Sequence, residues 1–200
     1  MLKKKIPVRS HTGKFRKTNP SNKKYLAVDF EHRCAYCDDL DSISGGYKSY
    51  HVEHFAPKEK FPELEFQYDN LLYACPYCNC SKNDDWPSNR SNVNVVGNKG
   101  YIDPCTPEYY RHLDRDEKTG NIVFKTELGK YMHTQMKLYL RRHSIIYMID
   151  KLKAKRDELQ DSINKDKCKG KNTKEKETIL QYIQNEFFEY YDEYQNEQST

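Results

Sequence analysis

Apolar residues recur at helical spacing through the part of the chain beyond Thr126. In the first stretch they are Leu138, Ile145, Ile149, Leu152, Leu159 and Ile163. In the second they are Ile179, Ile183, Phe187, Tyr190 and Tyr194. This spacing indicates two amphipathic helices, with the Lys-rich segment 164–174 as their connector. We therefore expect a hairpin of long helices after Thr126.

The first part of the chain contains shorter segments of regular hydrophobic pattern. Ser21 to His32 predicts a helix that Ser21 caps. After the turn signal Gly45-Gly46, the segment from Tyr47 to Phe55 carries β-forming residues in partial alternation. We expect this segment to be a strand.

A second short apolar segment, Asn70 to Ala74, predicts another strand. A helix is expected from near Pro76 to a point before Pro87, and the Asn, Gly and Pro content of residues 88–107 predicts mostly irregular chain. The order is strand, long loop, strand, helix, followed by long helices. The fold class is therefore α+β with a mainly helical C-terminal extension.

The charge of the chain is unevenly distributed. The sum is modest, +4, but Met1 to Val28 holds nine Lys or Arg residues and no acidic residue. We expect this cationic arm to contact nucleic-acid phosphates, with a merely solubilising tail as the alternative. The longest apolar runs are too short to cross a membrane, and the basic start lacks the apolar stretch of a signal peptide, so we expect a cytoplasmic protein without a membrane partner.

Two Cys-x-x-Cys pairs stand out among the seven cysteines. They are Cys34 with Cys37, and Cys75 with Cys78. In a chain without an export signal this spacing favours a tetrahedral Zn²⁺ site over disulfides. Four thiolates leave no position for water, so the zinc is expected to be structural. Cys80 is a possible competing ligand, whereas Cys105 and Cys168 are expected to be ordinary thiols.

A second constellation is interleaved with the cysteines. Its members are Glu53, His54, Asn70, Asn79 and Lys82. With the cysteines, it resembles the HNH nuclease family, whose pattern is an acid-His pair before a proline, an Asn-Leu step, and Cys-x-x-Cys followed by His or Asn and later by Lys. The match covers roughly residues 34–83. The resemblance implies a zinc-stapled ββα-metal core.

The resemblance also implies a role for each residue. Glu53 and Asn79 would bind a catalytic Mg²⁺ or Mn²⁺, and His54 would be the general base. Asn70 would hold the loop of His54 in shape. These parts suit phosphodiester cleavage, which needs a water, a base and a cation, and Lys82 is expected to contact a substrate phosphate.

Three features leave alternatives open at this site. The family more often has Asp where this chain has Glu53, and many members have His where it has Asn79. His51 would share a strand face with Glu53, so it is either a second ligand or a structural hydrogen-bonding residue.

A weaker resemblance begins at Gly100 and includes Tyr101-Ile102-Asp103-Pro104-Cys105 and Arg141-Arg142. It is similar to HNH proteins of Septu-type and retron-linked antiphage systems, in which the nuclease works beside an ABC or SMC-like ATPase. We accordingly expect three parts: a basic arm with the start of the first helix (1–28), an HNH core with the following irregular segment (29–125), and a helical hairpin that is a possible partner-binding region (126–200).

The sequence favours a DNA endonuclease, acting on DNA that is expected to be double-stranded, as the effector of such a system. The alternative is a non-catalytic zinc-stapled module that binds DNA or serves as an adaptor. It accounts for the cysteines and the charge. It does not explain why the acid-His pair and the two asparagines occur together in this order.

Overall fold

The computed structural model of the protein describes residue 2 and residues 5–198. The helices are α1 (Asn19–Asp29), α2 (Gly46–Ser49), α3 (Pro76–Lys82), α4 (Tyr109–His112), α5 (Glu127–Gln135), α6 (Arg141–Cys168) and α7 (Lys174–Gln198). The strands are β1 (His51–His54), β2 (Leu71–Ala74), β3 (Val95–Val96), β4 (Lys99–Gly100), β5 (Leu113–Arg115) and β6 (Ile122–Phe124). Two 3₁₀ turns, Pro62–Leu64 and Tyr68–Asn70, lie between β1 and β2. The fold is α+β with a helical C-terminal part, as predicted.

The β1–β2 hairpin and α3 form the ββα unit at the centre of the fold. The strands are antiparallel, with His51 opposite Ala74 and His54 opposite Leu71. All four residues of β2 are buried, and α1 packs across both strands. Helix α3 begins at Pro76, which suits a first helical position, and ends before Asn83, whose φ of 47° is left-handed.

The main core surrounds this unit and is rich in tyrosine. Its fully buried side chains include Tyr36, Tyr50, Tyr68, Tyr73 and Tyr109. Each hydroxyl has a partner; Tyr50, for example, donates to the Asp39 carbonyl at 2.7 Å. A core built from such side chains combines large apolar area with satisfied polar groups.

Several predicted boundaries were wrong. Thr18, not Ser21, caps α1, because the Thr18 hydroxyl accepts from the Ser21 amide. The segment from Tyr47 to Ser49 is the helical turn α2 rather than part of the strand. Residues 88–107 are mostly irregular, as expected, apart from the short β3–β4 hairpin, which turns at Gly97 with a φ of 60°.

The first of the two helices predicted after Thr126 is divided into α5 and α6. Lys137 has a left-handed φ of 52°, and it separates α5 from α6. Leu138 therefore lies in a turn and packs into the main core. Helices α6 and α7 form the predicted hairpin, and Ile145, Ile149 and Tyr194 belong to a second apolar cluster there. No helix in the described part of the chain is both long and apolar enough to span a membrane.

The basic arm is not a free tail along its described length. Arg9 donates to the Leu71 carbonyl at 2.9 Å and pairs with both carboxylate oxygens of Asp103 at 2.8 and 3.2 Å. Further along, Gly13 exchanges hydrogen bonds with the turn before β2. The part of the arm around Arg9 is therefore part of the folded core, and Arg9 is committed to an internal ion pair.

A buried ionic network joins the start of α6 to the first cysteine turn. Asp39 accepts from Arg142 Nη1 at 3.0 Å and from His143 Nδ1 at 2.8 Å. Arg115 adds a hydrogen bond of 2.5 Å to the Cys37 carbonyl and one of 3.2 Å to the His143 carbonyl. The helical hairpin is thus attached to the core by charged groups that are withdrawn from water.

Asp39→Asn should lower the free energy of unfolding by roughly 3–5 kcal/mol, because the buried Arg142 guanidinium would lose its carboxylate. Urea denaturation followed by circular dichroism measures the change. Asp157→Asn is the control, since it removes the carboxylate of the solvent-accessible pair with Arg156 and should change stability little. Equal losses in the two variants would contradict the importance of the Asp39 network.

Candidate functional site

The four predicted cysteines come together in the interior of the fold. Their sulfur atoms all lie within 4.8 Å of one another, and all four residues are buried. The Cys37 and Cys75 sulfurs are 3.7 Å apart. This is far longer than a disulfide bond, but it matches the edge of about 3.8 Å that a tetrahedron with metal–sulfur bonds of about 2.3 Å has. The cluster therefore fits a structural metal site.

Backbone hydrogen bonds shape the two cysteine turns. In the first turn, the Cys34 amide donates to the Asp39 carbonyl at 2.9 Å, and Ala35 donates to the Tyr73 carbonyl of β2 at 2.7 Å. In the second turn, Cys75 is the N-cap of α3, and its sulfur accepts from the Cys78 amide at 3.5 Å. Cys80, the possible competing ligand, is exposed and lies outside the cluster.

A second site, which contains none of the four cysteines in its described lining, is formed by residues of β1 and α3. Glu53, His54 and Asn79 line one cavity of about 190 Å³. The first two residues end β1, and Asn79 lies on α3. The structure therefore brings together the acid, the histidine and the asparagine that the sequence singled out. His51 is exposed at the start of β1 and is absent from the described lining of the cavity.

His54 is held in one orientation by the main chain. Its Nε2 lies 3.0 Å from the Glu65 carbonyl oxygen, which can only accept, so Nε2 carries the proton and Nδ1 keeps a lone pair. Burial lowers the pKa of His54, with a smaller contribution from the charge of Lys58, while the Glu65 carbonyl opposes the shift. The imidazole is therefore neutral at pH 7, the state in which Nδ1 can accept a proton.

Asn70 joins the ends of the loop that follows His54. Its Oδ1 accepts from the Ala56 amide at 2.8 Å, and its Nδ2 donates to the Ala56 carbonyl at 2.9 Å. Nδ2 also lies 3.4 Å from the Leu64 carbonyl. Asn70 is buried, and it is not among the residues that line the cavity.

Glu53 is a buried carboxylate with a buried cation beside it. Lys82 Nζ lies 2.9 Å from Glu53 Oε1 and 3.2 Å from the His54 carbonyl oxygen. The Tyr36 hydroxyl donates to the same Glu53 oxygen at 3.3 Å. Burial raises the pKa of Glu53, and the charge of Lys82 opposes that rise. The carboxylate retains a second oxygen, Oε2, with which it can bind a cation.

This position does not suit the predicted phosphate contact of Lys82. Its side chain is 0% exposed, so in this arrangement it does not reach a bound nucleic acid. The reason is the helical register, because Lys82 ends α3 on the face that packs against β1. The sequence pattern predicted a lysine near the acid-His pair. It did not show whether this lysine pairs with Glu53 inside the protein or with a phosphate of the substrate.

Comparison with known proteins identifies the segment that contains the cysteine cluster and the second site. Residues 34–85 match the HNH endonuclease family model. Over 52 residues the chain is 42% identical to the Septu protein PtuB of Bacillus thuringiensis, an alignment that covers 26% of this chain and 19% of that protein. The chain thus spans about a fifth of the length of the relative. No solved structure matches the chain.

Cys75→Ser should release the bound metal ion and lower the melting temperature markedly, because one substitution removes a ligand and the sulfur that caps α3. Elemental analysis after dialysis gives the metal content per chain, and thermal unfolding gives the stability. Cys80→Ser is the matched control, since its thiol is exposed on the same helix. A Cys75→Ser protein with the metal content and melting temperature of the control would refute the four-cysteine site.

Proposed function

We propose that this protein, an HNH-family member that resembles a Septu protein, is a metal-dependent endonuclease that hydrolyses phosphodiester bonds in DNA. The observation that carries the proposal is the single cavity onto which Glu53, His54 and Asn79 open. It combines a neutral histidine with two side chains that offer oxygen ligands. A base and a cation site at one cavity are the requirements of phosphodiester hydrolysis.

His54 is the general base in this proposal. Its Nδ1 takes a proton from a water molecule whose oxygen forms a bond to phosphorus. The phosphorus–oxygen bond to the leaving sugar then breaks, and the departing oxygen takes a proton from solvent. The Glu65 carbonyl keeps the reactive nitrogen unprotonated by holding the proton on Nε2, and Asn70 maintains the loop that places His54.

Glu53 and Asn79 hold the divalent cation, Mg²⁺ or Mn²⁺. Carboxylate and amide oxygens are the ligands that these ions prefer. When bound, the ion stabilises the negative charge that develops on the phosphate and the leaving oxygen. Lys82 is a positioning residue, because its ammonium fixes one oxygen of Glu53. His51 has no part in this site.

The structural metal is Zn²⁺ in this proposal. Zinc prefers four thiolates in a closed tetrahedral site, and the buried cysteine cluster offers that set. A closed site has no open position for a water or a substrate. The zinc therefore contributes to folding, and the chemistry occurs at the cavity of His54.

The biological role follows from the Septu resemblance. We propose that the nuclease is the effector of an antiphage defence system, that its substrate is double-stranded DNA, and that the hairpin of α6 and α7 is the part that meets an ABC or SMC-like ATPase. The alternative is a non-catalytic DNA-binding or adaptor module. Such a module would need neither a buried Glu53–Lys82 pair nor a histidine with an available lone pair.

His54→Ala tests catalysis. The variant should cleave roughly 10²- to 10⁴-fold more slowly, because it lacks the base, whereas DNA affinity should hardly change if phosphate contacts dominate binding. Plasmid DNA and RNA are incubated with zinc-loaded wild type and variant, with and without Mg²⁺ or Mn²⁺. A variant that cuts every substrate at the wild-type rate would refute the mechanism. A wild type that cuts none would favour the module without catalysis.

Asn79→Ala should behave differently, because it removes a metal ligand and not the base. Its cleavage should require more Mg²⁺ or Mn²⁺ and should recover in part when the ion is raised. Titration of cleavage rate against each ion measures the shift. The His54→Ala protein is the comparison, since no ion concentration should restore it. Recovery in both variants, or in neither, would overturn the division between ligand and base.

A further inference from the structure

The cavity of His54 has a lysine at its edge that sequence reasoning did not single out. Lys58 is the one cation among the described residues that line this cavity. Its side chain is 39% exposed, in contrast to the fully buried Lys82. Lys58 follows Pro57 in the turn after β1, so the chain segment that carries the base also carries this charge.

Lys58 is close to the reacting groups and is only weakly held. It lines the same cavity as the His54 side chain. Its Nζ lies 3.5 Å from Glu65 Oε1, and both side chains of this pair are accessible to water. Accessible ion pairs contribute little to stability. Lys58 can therefore leave Glu65 for a stronger anionic partner.

The cavity needs a cation for a phosphodiester to enter. Glu53 and Glu59 both line it, and their carboxylates repel a phosphate. The negative charge on a phosphodiester also grows as water adds to phosphorus. A divalent ion held by Glu53 and Asn79 would meet part of this charge, and a second cation on another phosphate oxygen would stabilise the transition state more than the bound substrate.

We propose that Lys58 is a catalytic residue that binds a non-bridging oxygen of the scissile phosphate, and that Lys82 only positions Glu53. The inference rests on the proposed nuclease function. It assigns the phosphate contact to the exposed lysine of the cavity and the structural contact to the buried one. An ammonium suits this task because it donates to a phosphate oxygen as a point charge.

The test compares two matched charge removals in one turn. Lys58→Met keeps most of the side-chain length but removes the charge, and Lys60→Met does the same for an exposed lysine that is absent from the described cavity lining. Lys58→Met should lower kcat about 10- to 100-fold at saturating DNA and Mg²⁺, as expected for the loss of a charged transition-state contact. Lys60→Met should leave kcat within about 2-fold, whatever it does to KM. Lys58→Arg should restore most of kcat.

A third variant separates the two lysines. Lys82→Met leaves Glu53 buried without its cation, so it should lower the melting temperature, whereas Lys58→Met should melt as wild type does. An active wild type with equal kcat in Lys58→Met and Lys60→Met would overturn the role of Lys58 and leave the nuclease intact. A Lys82→Met protein with wild-type melting and kcat would overturn its positioning role. A wild type that cleaves no DNA or RNA would remove the nuclease function and this inference together.

Discussion

The clustering of four buried cysteine sulfur atoms is the constraint on which the arrangement of the ββα unit depends. The two cysteine turns are far apart in sequence, yet Cys37 and Cys75 meet at 3.7 Å. The first turn is bonded to β2 through Ala35, and Cys75 is the cap from which α3 begins. A metal ion bound by the four cysteines would thus fix the strand and the helix that flank the cavity of His54.

A buried ion pair holds the acidic residue of the second site, Glu53, in place. Burial removes both the Lys82 ammonium and the Glu53 carboxylate from water, and their contact at 2.9 Å offsets part of the free-energy cost of that desolvation. The same ammonium donates a hydrogen bond to the His54 carbonyl. Such a pair adds little net stability compared with apolar packing, but either charge alone would be costly. The pair therefore restricts where the Glu53 carboxylate can lie. The proposed role of Glu53 as a cation ligand requires a carboxylate with such a restricted position.

Sequence patterns located the ββα unit because its elements carry local signals. The acid-His pair stands at the end of a strand, and Pro76 starts the helix, as expected. Features that depend on contacts between residues distant in sequence could not be predicted from these local patterns. The burial of Lys82 follows from α3 packing on β1, and Arg9 is held by Asp103, which is distant in sequence. Leu138 fits the helical spacing of the apolar residues, so the sequence placed it in a helix. In the structure it follows the left-handed Lys137 and packs into the main core. The roles assigned to the site residues stay predictions.

The acceptor that orients His54 belongs to the main chain of residue 65. A side-chain acceptor could be removed by a single substitution, whereas every amino acid at this position supplies the same carbonyl oxygen. Its location depends instead on the path of the loop, which passes through the turn at Pro62–Leu64 and is joined at both ends by Asn70. The loop should therefore tolerate changes of residue type far better than changes of length, since one inserted or deleted residue would move the carbonyl and free the imidazole to adopt its other tautomer.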